Sequence, residues 1–151
     1  MIKPLLPLFM VIGSTVTYAA SDDKPYGGRL QVETVKEQSV TDDGKPIQYP
    51  LTEHPQVKTL RIKTLPGGET GWHYHPLPGY GFVLAGTMEV TLENGRKNRY
   101  ETGEAIYEIV KIPHNGRCVS TTPCDVIVTF TSAEGVPVTV MVPPMEESSA
   151  L

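Results

Sequence analysis

Histidine and cysteine are scarce in this sequence, four and two in 151 residues, and tryptophan occurs once. Two cysteines allow at most one disulfide. Charge of one sign is never gathered into a block. Thirteen basic residues against 17 acidic ones give a net charge of −4, spread along the chain, which argues against a nucleic-acid ligand and against a basic membrane-facing patch. No apolar run is long enough to cross a bilayer comfortably. After the first twenty residues no stretch shows a convincing 3.6-residue periodicity, and no internal repeat is present, which argues against helical and repeat architectures.

What is present begins with an N-terminal segment of distinct character. Lys3 precedes an apolar run from Leu5 to Ile12, then small and polar residues, then Ser21-Asp22-Asp23. Pro4 and Pro7 sit at the run's start. The segment reads as a secretory signal peptide cleaved after Ala19, with Thr17 at the −3 position and Ala20 as the alternative last residue. Cleavage removes Lys3, so the mature chain carries 12 − 17 = −5. No cysteine lies near the cut, which argues against a lipid anchor, and no membrane span is expected after signal removal. The expected location is periplasmic or secreted. An oxidising compartment favours a disulfide between Cys118 and Cys124 across the turn-like Ser-Thr-Thr-Pro segment, over two independent buried thiols.

The remainder reads as short strands between breakers. In the stretch 87–101, Met88, Val90 and Leu92 alternate with polar residues, the period of a half-buried strand. Asn94-Gly95 supplies a two-residue type I′ hairpin turn, and 96–101 is the returning strand. Segments 57–65, 125–131 and 136–142 alternate likewise, placing Leu60 with Ile62, Val126 with Val128 and Phe130, and Val138 with Val140 and Val142. Pro66-Gly67-Gly68, Thr102-Gly103 and Glu134-Gly135 separate them. The expected organisation is signal peptide 1–19, an extension with outer strands over 20–50, a barrel over 51–143 and a flexible tail over 144–151. The length suits one domain of closed or double-sheet β architecture.

Two of the four histidines, His73 and His75, stand one residue apart ahead of such a strand. On a strand, residues i and i+2 project from one face, so both imidazoles can reach a single ion at about 2.0–2.1 Å. A third donor would make a site that holds a divalent ion and still has open positions. His114, in Ile-Pro-His-Asn-Gly near a later strand, is the candidate, whereas His54 lies in a polar stretch and reads as a surface residue.

Gly67, five residues, His73-Tyr74-His75 and then Gly86 resemble the first motif of the cupin superfamily, G-x5-H-x-H-x3/4-E-x6-G. Gly103, ten residues and His114 match the spacing of the second, G-x5-P-x-G-x2-H-x3-N. From about Leu60 to Phe130 the chain resembles small single-domain cupins. That resemblance implies an all-β, cupin-type jelly-roll β-barrel (a double-stranded β-helix) with His73, His75 and His114 as metal ligands inside it, and a homodimer paired through its sheets. Four positions depart from the pattern. Gly79 stands where the first motif has its glutamate, Ile109 and Lys111 replace the second motif's proline and glycine, and Cys118 replaces its asparagine. Glu108 could replace the missing acid as a ligand or as a catalytic base, since a carboxylate among Ala105-Ile106-Tyr107 and Ile109-Val110 is costly unless paired or bound to a cation. The alternative is an acid on the barrel's outer face. Cys118, an even step from His114, is a lesser candidate ligand. Trp72, Tyr80, Phe82 and Tyr107 are candidates for the wall or mouth of the barrel.

The cofactor expected is one divalent transition metal, with Fe, Mn, Ni, Cu and Zn all compatible with imidazole and oxygen donors. Such a site admits dioxygenase-, lyase- or isomerase-type chemistry on a small organic molecule. The alternatives are a non-catalytic barrel that captures a small molecule or a metal, and a metal-free structural dimer; fold alone does not choose among them.

Overall fold

The structure, a computed structural model, describes residues 32–143. The expected signal peptide and the tail after Pro143 lie outside the described residues. The fold described below is that of residues 34–143. Nine strands follow in order: β1 (Pro55–Thr64), β2 (His73–Tyr74), β3 (Gly79–Ala85), β4 (Thr87–Leu92), β5 (Lys97–Glu101), β6 (Ala105–Tyr107), β7 (His114–Cys118), β8 (Cys124–Ala133) and β9 (Val140–Met141). Among the described residues there is no helix, hence none long and apolar enough to cross a membrane.

The strands form two antiparallel sheets, ordered β1-β8-β3-β6 and β5-β4-β7-β2-β9, the double-sheet β architecture expected from the sequence. Strand β8 shows how the sequence dictates this. Cys124, Val126, Val128, Phe130 and Ser132 are buried, while the residues between them face outward. Every second side chain therefore packs against Met88, Tyr100 and Cys118 from the other sheet, in one core with Val83 and Ile106. Each such aliphatic or aromatic side chain contributes about 1.5–3 kcal/mol when fully buried. Cys118 of β7 and Cys124 of β8 are disulfide-bonded, which joins the two sheets directly. Gly86, at the bend between β3 and β4, has φ +80°, and a Cβ there would lie 2.8 Å from Cys124 Sγ.

Three local expectations change. The β4–β5 loop is not a two-residue type I′ turn, because only Gly95 has positive φ. Leu92 N–H donates to Arg96 O and Gly95 N–H to Leu92 O, the pattern of a three-residue loop with glycine in its left-handed position. The strand expected over 136–142 shrinks to Val140–Met141. Pro137 lacks the N–H a ladder requires, although Val138 is still buried. Finally, the outer strands expected within 20–50 reduce, over 32–50, to one isolated bridge, Val40–Pro46, around the turn Thr41–Lys45. That turn docks on the barrel through Asp42, whose Oδ2 accepts from the Tyr100 hydroxyl at 2.7 Å and the Tyr107 N–H at 3.0 Å. Lys36 pairs with Asp42 and lies over the Tyr107 ring.

Candidate metal centre

The two sequence-distant histidine segments meet because β2 and β7 are neighbours. His73 is directly opposite His114 in that ladder, and His75, two residues on, bridges to Val110. The three ring centroids lie 4.5, 4.9 and 5.1 Å apart. Each residue offers one nitrogen, and those nitrogens lie within 4.8 Å of one another.

The rings are held by the backbone. His73 Nδ1 lies 2.7 Å from the Gly71 carbonyl, His75 Nδ1 2.7 Å from that of Val138, and His114 Nδ1 2.8 Å from that of Ile112. A carbonyl only accepts, so each Nδ1 carries the hydrogen and donates it, which assigns the tautomer and leaves Nε2 as a lone pair. Carbonyl-anchored imidazoles of this kind are what an imidazole-bound metal requires of its surroundings. Burial disfavours the charged form of all three. It holds His73 below its ordinary value and pulls His75 to about 3 and His114 to about 4, while the backbone hydrogen bonds oppose the shift and neighbouring histidines reinforce it for His75 and His114. The metal-free cluster is thus three neutral donors at neutral pH. This set fits a divalent transition ion.

Glu108 joins them. Its side chain is 14% exposed, and Oε2 lies 3.6 Å from His75 Nε2. Burial, and then the charge of Asp42, push its carboxyl up to about 7. Two donors about 2.1 Å from a common ion in tetrahedral arrangement stand about 3.4 Å apart, so the separation fits a shared cation. The position of Gly79 explains how Glu108 comes to be there. Glu108 N–H donates to Gly79 O at 2.9 Å. A Cβ at Gly79 would meet Phe130 ring carbons at 2.6 and 2.7 Å and Glu108 Cγ at 3.0 Å. Phe130 and Glu108 fill the space that a side chain at position 79 would need.

A cavity of about 280 Å³ adjoins the cluster, walled mainly by Leu60, Ile62, Val90, Ile106, Val126 and Phe130. The four aromatic wall candidates are not among its lining residues. On β3 the buried positions are Gly79, Gly81 and Val83, so Tyr80 and Phe82 take the other face. On β6 the same alternation buries Ile106 and turns Tyr107 away, toward Tyr80. Trp72, at the bend just before β2, does not line the cavity either. The aromatic that does line the cavity is Phe130, its ring centroid 4.9 Å from that of His75. The alternation of β8 marked it as an inward residue. Thr70 also lies at the cluster, with no motif in the sequence to mark it. Its hydroxyl lies 3.5 Å from His73 Nδ1 and accepts the Gly116 N–H at 2.9 Å, an arrangement that depends on tertiary contact. Cys118 is consumed by the disulfide and is not a ligand. His54 is exposed and outside the cluster.

Two sheets rolled around an interior cluster of histidines define the cupin class of β-barrel. The chain carries a cupin domain: residues 60–130 match the family Cupin_2, described as "Cupin domain". Among solved structures it is similar to a DMSP lyase from a study of RdDddP and RnDddQII, at 22% identity and TM-score 0.50, over 58% of this chain and 44% of that one. It is also similar to the DMSP lyase DddQ from Ruegeria pomeroyi DSS-3, at 22% identity and TM-score 0.51, over 60% of this chain and 45% of that one. These are likenesses of fold, and the chain spans under half the length of either lyase. No curated protein matches it.

Proposed function

We propose that this chain is an exported cupin that binds one divalent transition metal through His73, His75 and His114, with Glu108 as its carboxylate, and that it acts on a small organic molecule. The observation that carries this reading is the convergence of three histidine nitrogens within 4.8 Å, each ring tied by Nδ1 to a backbone carbonyl. The donor set is compatible with Fe, Mn, Ni, Cu or Zn. A bound ion of this kind supplies a Lewis acid with open positions for an oxygen donor.

The chain's own groups do the rest. The carbonyl anchors fix the rings, so little reorganisation accompanies binding. Hydrocarbon walls exclude water, which strengthens polar interactions inside. Glu108 Oε2 lies beside His75, within reach of a ligand held at the histidine cluster; as a base it would take a proton there and return it elsewhere on the same molecule in isomerase chemistry, or to the leaving group in lyase chemistry. Dioxygenase-type chemistry uses the same open positions. The protein works in the periplasm or outside the cell as a homodimer, and its mature form begins at Ala20.

The test is elemental analysis of protein purified from its native compartment, followed by substrate screening with His114→Ala as control. A transition metal near one per chain, and activity lost in a variant that retains its fold, support the reading. Metal-free protein contradicts it. A second reading, a non-catalytic barrel that captures a small molecule or metal, is favoured by the lack of a side chain at Gly79. It predicts metal and ligand binding with no turnover. N-terminal sequencing and light scattering test export and dimerisation.

A further inference from the structure

The cavity beside the histidines has a charge pattern that restricts its ligand. Leu60, Ile62, Met88, Val90, Val126 and Val128 give it hydrocarbon sides. Its ionisable groups are the three imidazoles and Glu108, and among the described residues neither lysine nor arginine lines it. A carboxylate entering this space would have no counter-charge on the walls, and Glu108 offers it none in either protonation state. An alkylammonium beyond the histidine end would find no aromatic cage, because the one aromatic on the wall, Phe130, is already packed on His75, and the one carboxylate, Glu108, stands at the histidine end where the oxygen-donor group sits. Buried charge without a partner is strongly disfavoured. The volume of about 280 Å³ would hold roughly nine waters at about 30 Å³ each, so the ligand has on the order of ten non-hydrogen atoms.

We propose that this site selects a neutral, mainly apolar molecule that presents a single oxygen-donor group to the histidine end, and rejects ligands that carry a second, charged group. The oxygen anchor rests on the metal reading above; the exclusion of charge rests on the walls alone. Leu60 and Ile62, half-buried on edge strand β1, and Val126 and Val128 on β8 set the preference, because they line the body of the cavity beyond the metal-binding groups.

The test uses full mature protein loaded with zinc and three probes with one metal-seeking head: benzohydroxamic acid, its 4-carboxy derivative and its 4-aminomethyl derivative. The neutral probe should bind at least about 30-fold more tightly than either charged one. Affinities within about threefold overturn the proposal. In metal-stripped protein benzyl alcohol should still bind more tightly than benzoate, and equal binding there overturns it independently of the metal. Zinc retention measured on the same samples separates the two claims: protein that holds no zinc contradicts the metal reading, whereas zinc-loaded protein that does not discriminate contradicts only this one. Leu60→Arg should shift preference toward the 4-carboxy probe by about tenfold or more, with zinc content unchanged. An unchanged ratio in folded Leu60→Arg protein overturns the assignment of the wall.

Discussion

Gly79→Ala adds one methyl group at the most crowded backbone position of the site. Its φ is not positive, so the substitution carries no strain of that kind and the effect is steric. The new Cβ would lie 2.6 and 2.7 Å from two carbons of the Phe130 ring and 3.0 Å from Glu108 Cγ. Carbon atoms rest at about 3.5–4.0 Å, so the overlap with the ring is on the order of 1 Å. Phe130 is directly opposite Gly79 in the β3–β8 ladder and 1% exposed, so the ring cannot swing into solvent. Overpacking of this kind costs about 1–3 kcal/mol, and the smaller entropy of an unfolded alanine returns about 0.4–1 kcal/mol. The difference spans about 0–2.6 kcal/mol, and contacts as short as 2.6 Å put the steric cost in its upper half, so the expected net loss is about 1–2.6 kcal/mol. Phe130→Leu alone should also destabilise, by leaving a void, but the two changes together should cost less than their sum by at least about 1 kcal/mol. Urea denaturation of the four proteins measures this coupling. Strict additivity, or Gly79→Ala as stable as the wild type, would refute the view that Phe130 and Glu108 occupy the place of a side chain at position 79.

Two further outcomes follow from the same geometry. Cys118→Ser with Cys124→Ser should lower stability by roughly 2 kcal/mol, the loop-entropy value for a short closed loop, and equal denaturation midpoints with and without the bridge would contradict it. In protein stripped of metal, stability should rise with pH between about 4.5 and 6.5. Unfolding lets His75 and His114 return from about 3 and 4 to 6.5, so the unfolded chain binds up to two more protons there, and His73 adds in the same sense. Glu108, about 7 when folded and 4.5 when free, opposes them by up to one proton. The net slope is thus about 1.4 kcal/mol per pH unit or more near the middle of that window, readable from melting temperatures at pH 5 and 6.5, and a flat or falling profile would contradict it.

Much of this architecture is legible in the residues. The alternation in 87–92 and 125–131 is strong because each strand has one wet face and one buried one, and both strands lie where the pattern puts them. The spacing of His73, His75 and His114 encodes the cluster, because i, i+2 on one strand and a residue on its ladder partner are neighbours in space. Less legible are features decided by tertiary contact. The segment around Asp42 holds the barrel through a tyrosine hydroxyl and a backbone N–H, neither of which leaves a periodic trace. The strand expected over 136–142 yields to Pro137, which breaks the ladder without disturbing the burial of Val138. Of the aromatic residues near the histidines in sequence, strand parity turns Tyr80, Phe82 and Tyr107 outward and leaves Phe130 as the aromatic that lines the cavity. Parity was available in the sequence once Gly79 was taken as an inward position.

The most direct measurement is a competition titration of chelator-stripped protein with Zn²⁺ or Mn²⁺, comparing the wild type with His73→Ala, His75→Ala, His114→Ala and His54→Ala. The account predicts one ion per chain in the wild type and in His54→Ala. Each of the other three should lose affinity by more than the roughly 10–100-fold that removal of an outer-shell partner causes. Wild-type affinity retained by any of those three folded variants, or no uptake by the wild type, would contradict it.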